Sequence, residues 1–429
     1  MKRARFLALG IAAALTLAAC GEDTATDEPA AEETSAAAPE PADIRLWLNG
    51  PDTPQEIRDW LKTEFEKENP GSTLTIEEQE WEGLVERLTT SLGSEEETPD
   101  VVEVGNTQAP TFTTVGAFTD LTDKLDELGG DDLIPSFVEA GTADGKTSAV
   151  PYYAGSAYVF YRTDLFEKSG LQVPTTMQEF IDAAIKLKKD NASTPNFSGF
   201  WLPGQDWRDG QAFIWDAGGD WAEQDGDEWK GTLSSPESIE GLTTVQKLFN
   251  EASGAPKDGN EADPQVPFCA GEIGMMLRPG WVRWSIDNAD IGCPDMVPQL
   301  GVFPLPGSNG EPAPVLLGGS NIAISAKSQH QELAYNLVKL MLSDDYQTQM
   351  AKAGLTPAKL SLTPQLGTDE FAQAAVVAAS NAKLTPAAAN WAAVEGSRVL
   401  EDLFVDIANG GDVQQLAEEA DAKITEQLN

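Results

Sequence analysis

Histidine and cysteine are nearly absent from this chain, and basic residues are scarce. One histidine and three cysteines occur in 429 residues. Two cysteines away from the N-terminus and a lone histidine do not make a zinc site. His330 lies in "KSQHQELAY", a polar helix start, which makes it an exposed cap-region residue and not a general base. No serine sits in a Gly-x-Ser-x-Gly setting, so a Ser-His-acid triad is excluded. A glycine-rich phosphate loop and a dinucleotide fingerprint are also missing, and no cofactor is expected. The 28 Lys and Arg face 70 Asp and Glu, a net charge of −42. A surface that acidic repels phosphate backbones and anionic lipid, which excludes nucleic acid as a partner. It serves solubility and does not show what is bound. Beyond the first twenty residues no apolar run reaches eighteen, so the remainder is expected outside the membrane.

What is present begins with a targeting segment. Lys2, Arg3 and Arg5 precede a fourteen-residue apolar run, Phe6 to Ala19, too short to span a bilayer comfortably. Leu17-Ala18-Ala19-Cys20 resembles the lipobox of bacterial lipoproteins, which implies cleavage after residue 19 and lipidation of Cys20. Gly21 to Asp43 carries eight acidic residues and no basic one among Ala, Pro, Thr and Ser. Such a segment cannot bury enough apolar surface to order itself, and residues 20–43 read as a tether. An exterior, oxidising compartment favours pairing of the remaining Cys269 and Cys293, with free thiols as the alternative.

A chain of this length suggests two domains or three. "IRLWLNG", from Ile44, has strand composition. A helix follows, with Pro54 in its first turn and Ile57, Trp60, Leu61 and Phe65 on one face. "STLTI" is a second strand, Trp81 to Leu92 a further helix-like run, and "PDVVEVGNTQ" a buried strand ending in polar residues. This alternation predicts a mostly parallel sheet covered on both faces. Ligands of such sheets sit beyond strand carboxyl ends, where Asn49, Gly50, Asn106, Thr107 and Gln108 lie. A second region starts near "AVPYYAGSAYVFYRTDLF", and "PLPGSNGEPAPVLLGGSNIAIS" crosses back.

Eleven tryptophans are many, and Trp201, Trp207, Trp215, Trp281 and Trp391 lie beside turn signals. A sugar ring has an apolar face and a belt of hydroxyls, so its site needs flat aromatic platforms with carboxylates and amides around them. Paired carboxylates of a glycoside-active enzyme stay open as an alternative, because with so many acids no pair is informative. "DGDE", Asp225 to Glu228, lacks a full calcium-loop pattern and reads as a solvated turn.

In their order and spacing, "IRLWLNG", "PDVVEVGNTQAPTFTTVGAFTDLTD", "AVPYYAGSAYVFYRTDLF", "IWDAGG", "GEIGMMLRPGW", "LGGSNIAIS" and "NWAAVEGSRVLEDLFVDIANGG" resemble the extracellular solute-binding proteins of carbohydrate ABC importers. That group includes maltose-binding protein. The resemblance implies an α/β fold of the type II periplasmic-binding-protein kind: two lobes, a hinge and an interlobe ligand cleft. It implies a first lobe of residues 44–153 and 314–352 and a second of 154–313 and 353–429. Its ligand residues map onto Asn49, Asp52, Asn106, Gln108, Tyr153, Asp206, Trp207, Trp281, Gly319, Ser320, Asn321 and Trp391, with Trp281 and Trp391 as stacking platforms. Val104 stands where maltose-binding protein has an aromatic, and its acidic ligand residue near Gly155 is missing, which implies a sugar other than maltose. The implied partners are a di- or oligosaccharide and the transmembrane subunits of an ABC permease. A monomer is expected, held at the outer face of the cell membrane by its lipid alone. A non-sugar polyol or a peptide is the alternative ligand. Trp284 is assigned to packing.

Overall fold

The computed structural model describes residues 39–429 except Glu82, Asp227 and Ala387. The expected signal segment, Cys20 and most of the tether lie outside the described residues. Among the described residues no helix is long and apolar enough to cross a membrane.

The first lobe starts with β1 (Asp43–Asn49), α1 (Gln55–Glu68), β2 (Thr73–Gln79), α2 (Leu84–Leu92) and β3 (Val101–Gly105). Ile44, Leu46 and Leu48 of β1 are fully buried, and the Ile57, Leu61 and Phe65 stripe of α1 packs with them. Leu46 lies opposite Ile76 of β2 and Val101 of β3, both in parallel register. The run expected to be helical from Trp81 becomes so only at Leu84, because Gly83 at φ 69° turns the chain first. Trp81 is thereby left in a loop.

β4 (Ala149–Ser156) leads across to β5 (Tyr158–Arg162) in the second lobe. There the chain forms α3 (Trp207–Asp216), β6 (Met275–Arg278), α4 (Trp281–Asp287) and β7 (Leu300–Phe303). It returns on β8 (Val315–Ile324), continues through α5 (Asp344–Lys352) and β9 (Thr356–Pro357), and reaches α6 (Trp391–Gly396). The first lobe's sheet has the order β9-β4-β8-β3-β1-β2, with Ala382–Lys383 paired to β8. Within this sheet, among the described residues, parallel pairing is confined to β1 with β2 and β3 and to that short edge pair. The crossing strands enter antiparallel, so the sheet is mixed where a mostly parallel one was expected. In the second lobe's sheet, β6-β5-β7, the strands pair antiparallel, and Met276 of β6 also bridges Trp201 in parallel.

Each lobe has its own core, and β8 joins both: Val315 packs in the second, Ile322 and Ile324 in the first. Leu355 and Ala358 belong to the first core, and Ala374 and Ala378 to the second. The chain therefore passes from the first core to the second between residues 358 and 374. Gly318 of β8 pairs with Gly155 of β4, and the register shifts between Ser320 and Asn321. Gly319, at φ 136°, lies so close to β4 that a Cβ there would sit 2.3 Å from the Tyr153 carbonyl oxygen. Any larger residue would part the hinge strands. Cys269 and Cys293 are bridged, with Cα atoms 5.6 Å apart.

Candidate functional site

The first lobe's wall is made by the loops after β1, β2 and β3. Trp81 follows the carboxyl end of β2 and lies across the other two loops. Its ring carbons come within 3.3 and 3.4 Å of where Cβ atoms of Gly50 and Gly105 would be, so glycine at both positions lets the indole lie flat on the backbone. Its N–H donates to Asp52 Oδ2 at 3.0 Å, and the side chain stays 36% exposed. Sequence reasoning missed Trp81 by treating it as the first residue of a helix. The strand-end rule applied to β1 and β3 would have found it. Arg58 reinforces this wall from α1, donating to the Gly50 carbonyl and, at 2.7 Å, to the Thr53 carbonyl.

Beneath the loops lies a buried polar cluster. Tyr153 Oη is 3.0 Å from both Asp52 Oδ2 and Glu103 Oε1. The Ser320 hydroxyl donates to Glu103 Oε1 at 2.6 Å, and the Asn49 backbone N–H donates to Oε2 at 2.8 Å. One hydroxyl proton cannot serve both carboxylates, so the Tyr153 bridge is complete when Glu103 itself carries a proton. Burial first, and then the charge of Asp52, push the Glu103 carboxyl up to about 7. Asp52 is also held above the ordinary range by burial, against the hydrogen bonds from Trp81 and Tyr153.

The sign of the resulting pH dependence follows from linkage. The folded state holds the Glu103 proton where the unfolded chain, at its ordinary 4.5, has released it. This contribution is complete below the unfolded value and is lost as pH rises through the folded one. The urea midpoint should fall between about pH 5 and pH 8, and Glu103→Gln should flatten that slope. An unchanged slope in the variant would remove Glu103 as its source.

The second lobe contributes Trp281 and Trp284, both half-buried on the first turn of α4. With Ser285 they face Pro51, Asp52, Pro54, Ala353 and Leu355 of the first lobe across a cavity of about 10 Å³. That is room for about one water at most. At this point the two lobes are in close contact, and the space between their residues is too small for a sugar ring. Trp284, expected to be packing, thus shares the interlobe cavity with Trp281.

Further along the interface the Thr111 hydroxyl donates to the Ala389 carbonyl at 3.2 Å, and the Thr107 side chain hydrogen-bonds Glu395. Burial raises the Glu395 carboxyl, opposed by the Arg208 charge and the Thr107 bond. Arg208 pairs with Glu261 at 2.7 Å and stacks 4.6 Å over Trp207. Neither Arg208 nor Glu395 stood out in the sequence: one charged residue among ninety-eight carries no signal until its neighbours are known.

Several expected ligand residues have other structural work. Asp206 is fully buried, paired with Arg278 at 2.7 Å and capping α3. Trp207 is buried edge-on to Trp221, with its N–H on Glu401 at 3.2 Å. Trp391, expected as a second platform, is 1% exposed in the second core, and its N–H donates to Glu395 at 2.8 Å. A ring packed on all sides has no face to stack on. Asn106 is turned to the hinge, donating to the Leu317 carbonyl at 3.0 Å, and Asn321 donates to the Phe137 carbonyl at 2.8 Å. Asn49, Gly319 and Ser320 shape the floor under the loops. Of the expected set, Asp52 and Trp281 line the interlobe cavity, Gln108 is half-buried with its Oε1 against Gly105, and Tyr153 is buried beneath Asp52.

The arrangement brings Trp81 of the first lobe and Trp281 and Trp284 of the second beside one carboxylate, Asp52, which accepts hydrogen bonds from Trp81 and Tyr153. Among the described residues no group of His, Cys, Asp and Glu is disposed to hold a metal.

Residues 50–348 match the family model described as bacterial extracellular solute-binding protein. The chain is 34% identical over 401 residues to the diacetylchitobiose binding protein DasA of Streptomyces coelicolor, covering 92% of this chain and 91% of that one. It is 24% identical over 375 residues to a lactose-binding protein of Rhizobium radiobacter, covering 84% and 82%. The crystal structure of the GacH receptor of Streptomyces glaucescens superposes with a TM-score of 0.77 at 22% identity, covering 90% of this chain and 98% of that one. A solute binding protein of Thermotoga lettingae bound with tagatose gives 0.79 at 19%, covering 90% and 100%. The architecture is the type II periplasmic-binding-protein fold, and the chain belongs to the bacterial extracellular solute-binding protein family.

Proposed function

We propose that this protein is a lipid-anchored receptor that captures a small oligosaccharide between its lobes and delivers it to an ABC importer. The observation that carries this reading is the cavity that Trp281 and Trp284 of one lobe share with Asp52 of the other, with Trp81 hydrogen-bonded to that same Asp52. Indole faces suit the apolar faces of pyranose rings, and carboxylates satisfy their hydroxyls. A hydroxyl left unpaired costs about 1–3 kcal/mol, which gives such a cleft its selectivity. The likeness to a diacetylchitobiose binding protein over nearly the whole chain makes that disaccharide the first ligand to test. The receptor binds and releases without making or breaking bonds. Cys20 carries the lipid, and Cys20→Ser should move the protein from the membrane pellet to the medium.

A thermal-shift screen of the soluble domain against diacetylchitobiose, other di- and trisaccharides and polyols tests the reading. A ligand at a hundred times its dissociation constant adds about 2.7 kcal/mol of apparent stability. A shift with polyols alone would replace the sugar, and release of reducing ends from any glycoside would replace the receptor by an enzyme.

A further inference from the structure

We infer that Arg278, Pro279 and Gly280 form a mechanical link between the ligand platform and the hinge, with Arg278 as its positioning residue. The inference rests on the reading of Trp281 as a ligand platform. Four consecutive residues make four different contacts, and together they tie platform, second lobe, hinge and first lobe into one unit.

Arg278 ends β6 and is the anchor. Its guanidinium donates to Asp209 Oδ2 at 2.5 Å and to Asp206 Oδ2 at 2.7 Å, and it lies 4.8 Å from the centre of the Trp201 ring. Its side chain and both carboxylates are almost wholly buried. Asp206 in turn accepts the Asp209 backbone N–H at 3.1 Å, so the first turn of α3 is bound to the end of β6. A buried ion cluster rarely stabilises more than apolar packing of the same volume would. What a planar, forked cation between two carboxylates supplies is one allowed geometry.

Pro279 comes next and touches the hinge: its Cβ lies 3.5 Å from where a Cβ of Gly155 would be, and Gly155 is paired with Gly318 between the lobes. Gly280 then meets the first lobe. A Cβ on it would fall 2.9 Å from the Gly354 carbonyl oxygen and 2.9 Å from the Tyr158 hydroxyl. Its φ of −58° is ordinary for any residue, so the missing side chain answers to two close neighbours, Gly354 of the first lobe and Tyr158 of its own, and not to backbone conformation. Trp281 follows at once, opening α4 beside Pro51 and Asp52.

With α3 as the fixed point, the approach of Gly354 to Gly280 and of Asp52 to Trp281 is a single movement. A ligand stacked on Trp281 therefore favours closure because the platform cannot shift independently of the hinge. Only a difference in affinity between open and closed states moves that equilibrium.

The test measures the distance between spin labels on the exposed Val115 and Val173, introduced as V115C and V173C with Cys20 removed, alongside the dissociation constant for diacetylchitobiose. Gly280→Ala should raise the dissociation constant at least tenfold and keep the lobes apart at ligand concentrations that close the parent, beyond any loss of ligand-free melting midpoint from its contact with Tyr158 in the same lobe. Arg278→Lys keeps the charge but not the fork, and should weaken binding less than Arg278→Met. If both Arg278 variants lose melting midpoint but bind and close as the parent does, Arg278 is structural only and the inference falls. Closure of Gly280→Ala to the parental distance with parental affinity overturns it too. Should the parent itself neither bind nor close on the sugar, the receptor reading fails and the link with it; should Trp281→Ala bind as tightly as the parent, the receptor reading stands but Trp281 is no platform and the link falls.

Discussion

Trp281→Ala should raise the ligand dissociation constant by about 30- to 1000-fold, the 2–4 kcal/mol range of a buried aromatic anchor. The ring opens α4 directly after the Arg278-Pro279-Gly280 turn and is half-buried against the opposite lobe. Truncation removes the apolar face on which a sugar ring would lie and leaves its replacement by water on both sides of the contact. The fold should survive, because the core of the second lobe closes behind Val282 and Ile286 and not behind Trp281. Isothermal titration together with ligand-induced fluorescence reads the effect. Trp391→Ala is the informative contrast: it empties a fully buried site and should cost about 3–5 kcal/mol of stability. Parental affinity in Trp281→Ala would show that the cleft has been drawn around the wrong face of α4.

Replacing Cys269 and Cys293 together by Ser should lower stability by about 3 kcal/mol. The bridge spans a separation of 24 residues and closes a loop that contains β6, the Arg278 turn and α4. Its loss returns conformational freedom to the unfolded chain and leaves the platform segment held by the Arg278 cluster and by Val282 and Ile286. Both cysteines are half-buried, so a reductant should reach the bridge without global unfolding. Urea unfolding of the double variant checks the magnitude; a change below about 1 kcal/mol would mean that the loop is already ordered in the unfolded ensemble.

The strands were legible because their physics is local. Ile44, Leu46 and Leu48 alternate as a buried strand must, and the Ile57, Leu61, Phe65 stripe has helical spacing. The cysteine pair was legible for a similar reason: with only two candidates left there was one connectivity. The tryptophans were not legible in this way. Trp281 and Trp391 both sit at turn signals, yet one lines the interlobe cavity and the other fills a core. Adjacent sequence is nearly silent on that choice, because the partners of Trp391, Trp221 and Glu395, and those of Trp281, Pro51 and Asp52, come from distant or opposite elements. Asp206 fails in the same way. A carboxylate beside a tryptophan at a helix start looks available for a ligand until Arg278, seventy-two residues on, is found to occupy it.

By itself, then, the sequence determined the local features of the molecule: its acidity, the alternating strands and helices of the first lobe, a cysteine pair with one connectivity, and many aromatic rings beside turns. Periodicity, composition and turn chemistry act over a few residues, and those features are local. Which rings face the cleft, where the last crossing falls, and why Gly280 has no side chain were decided only by the tertiary structure. Each depends on a residue from the other lobe, or from hundreds of positions away, arriving within a few ångströms.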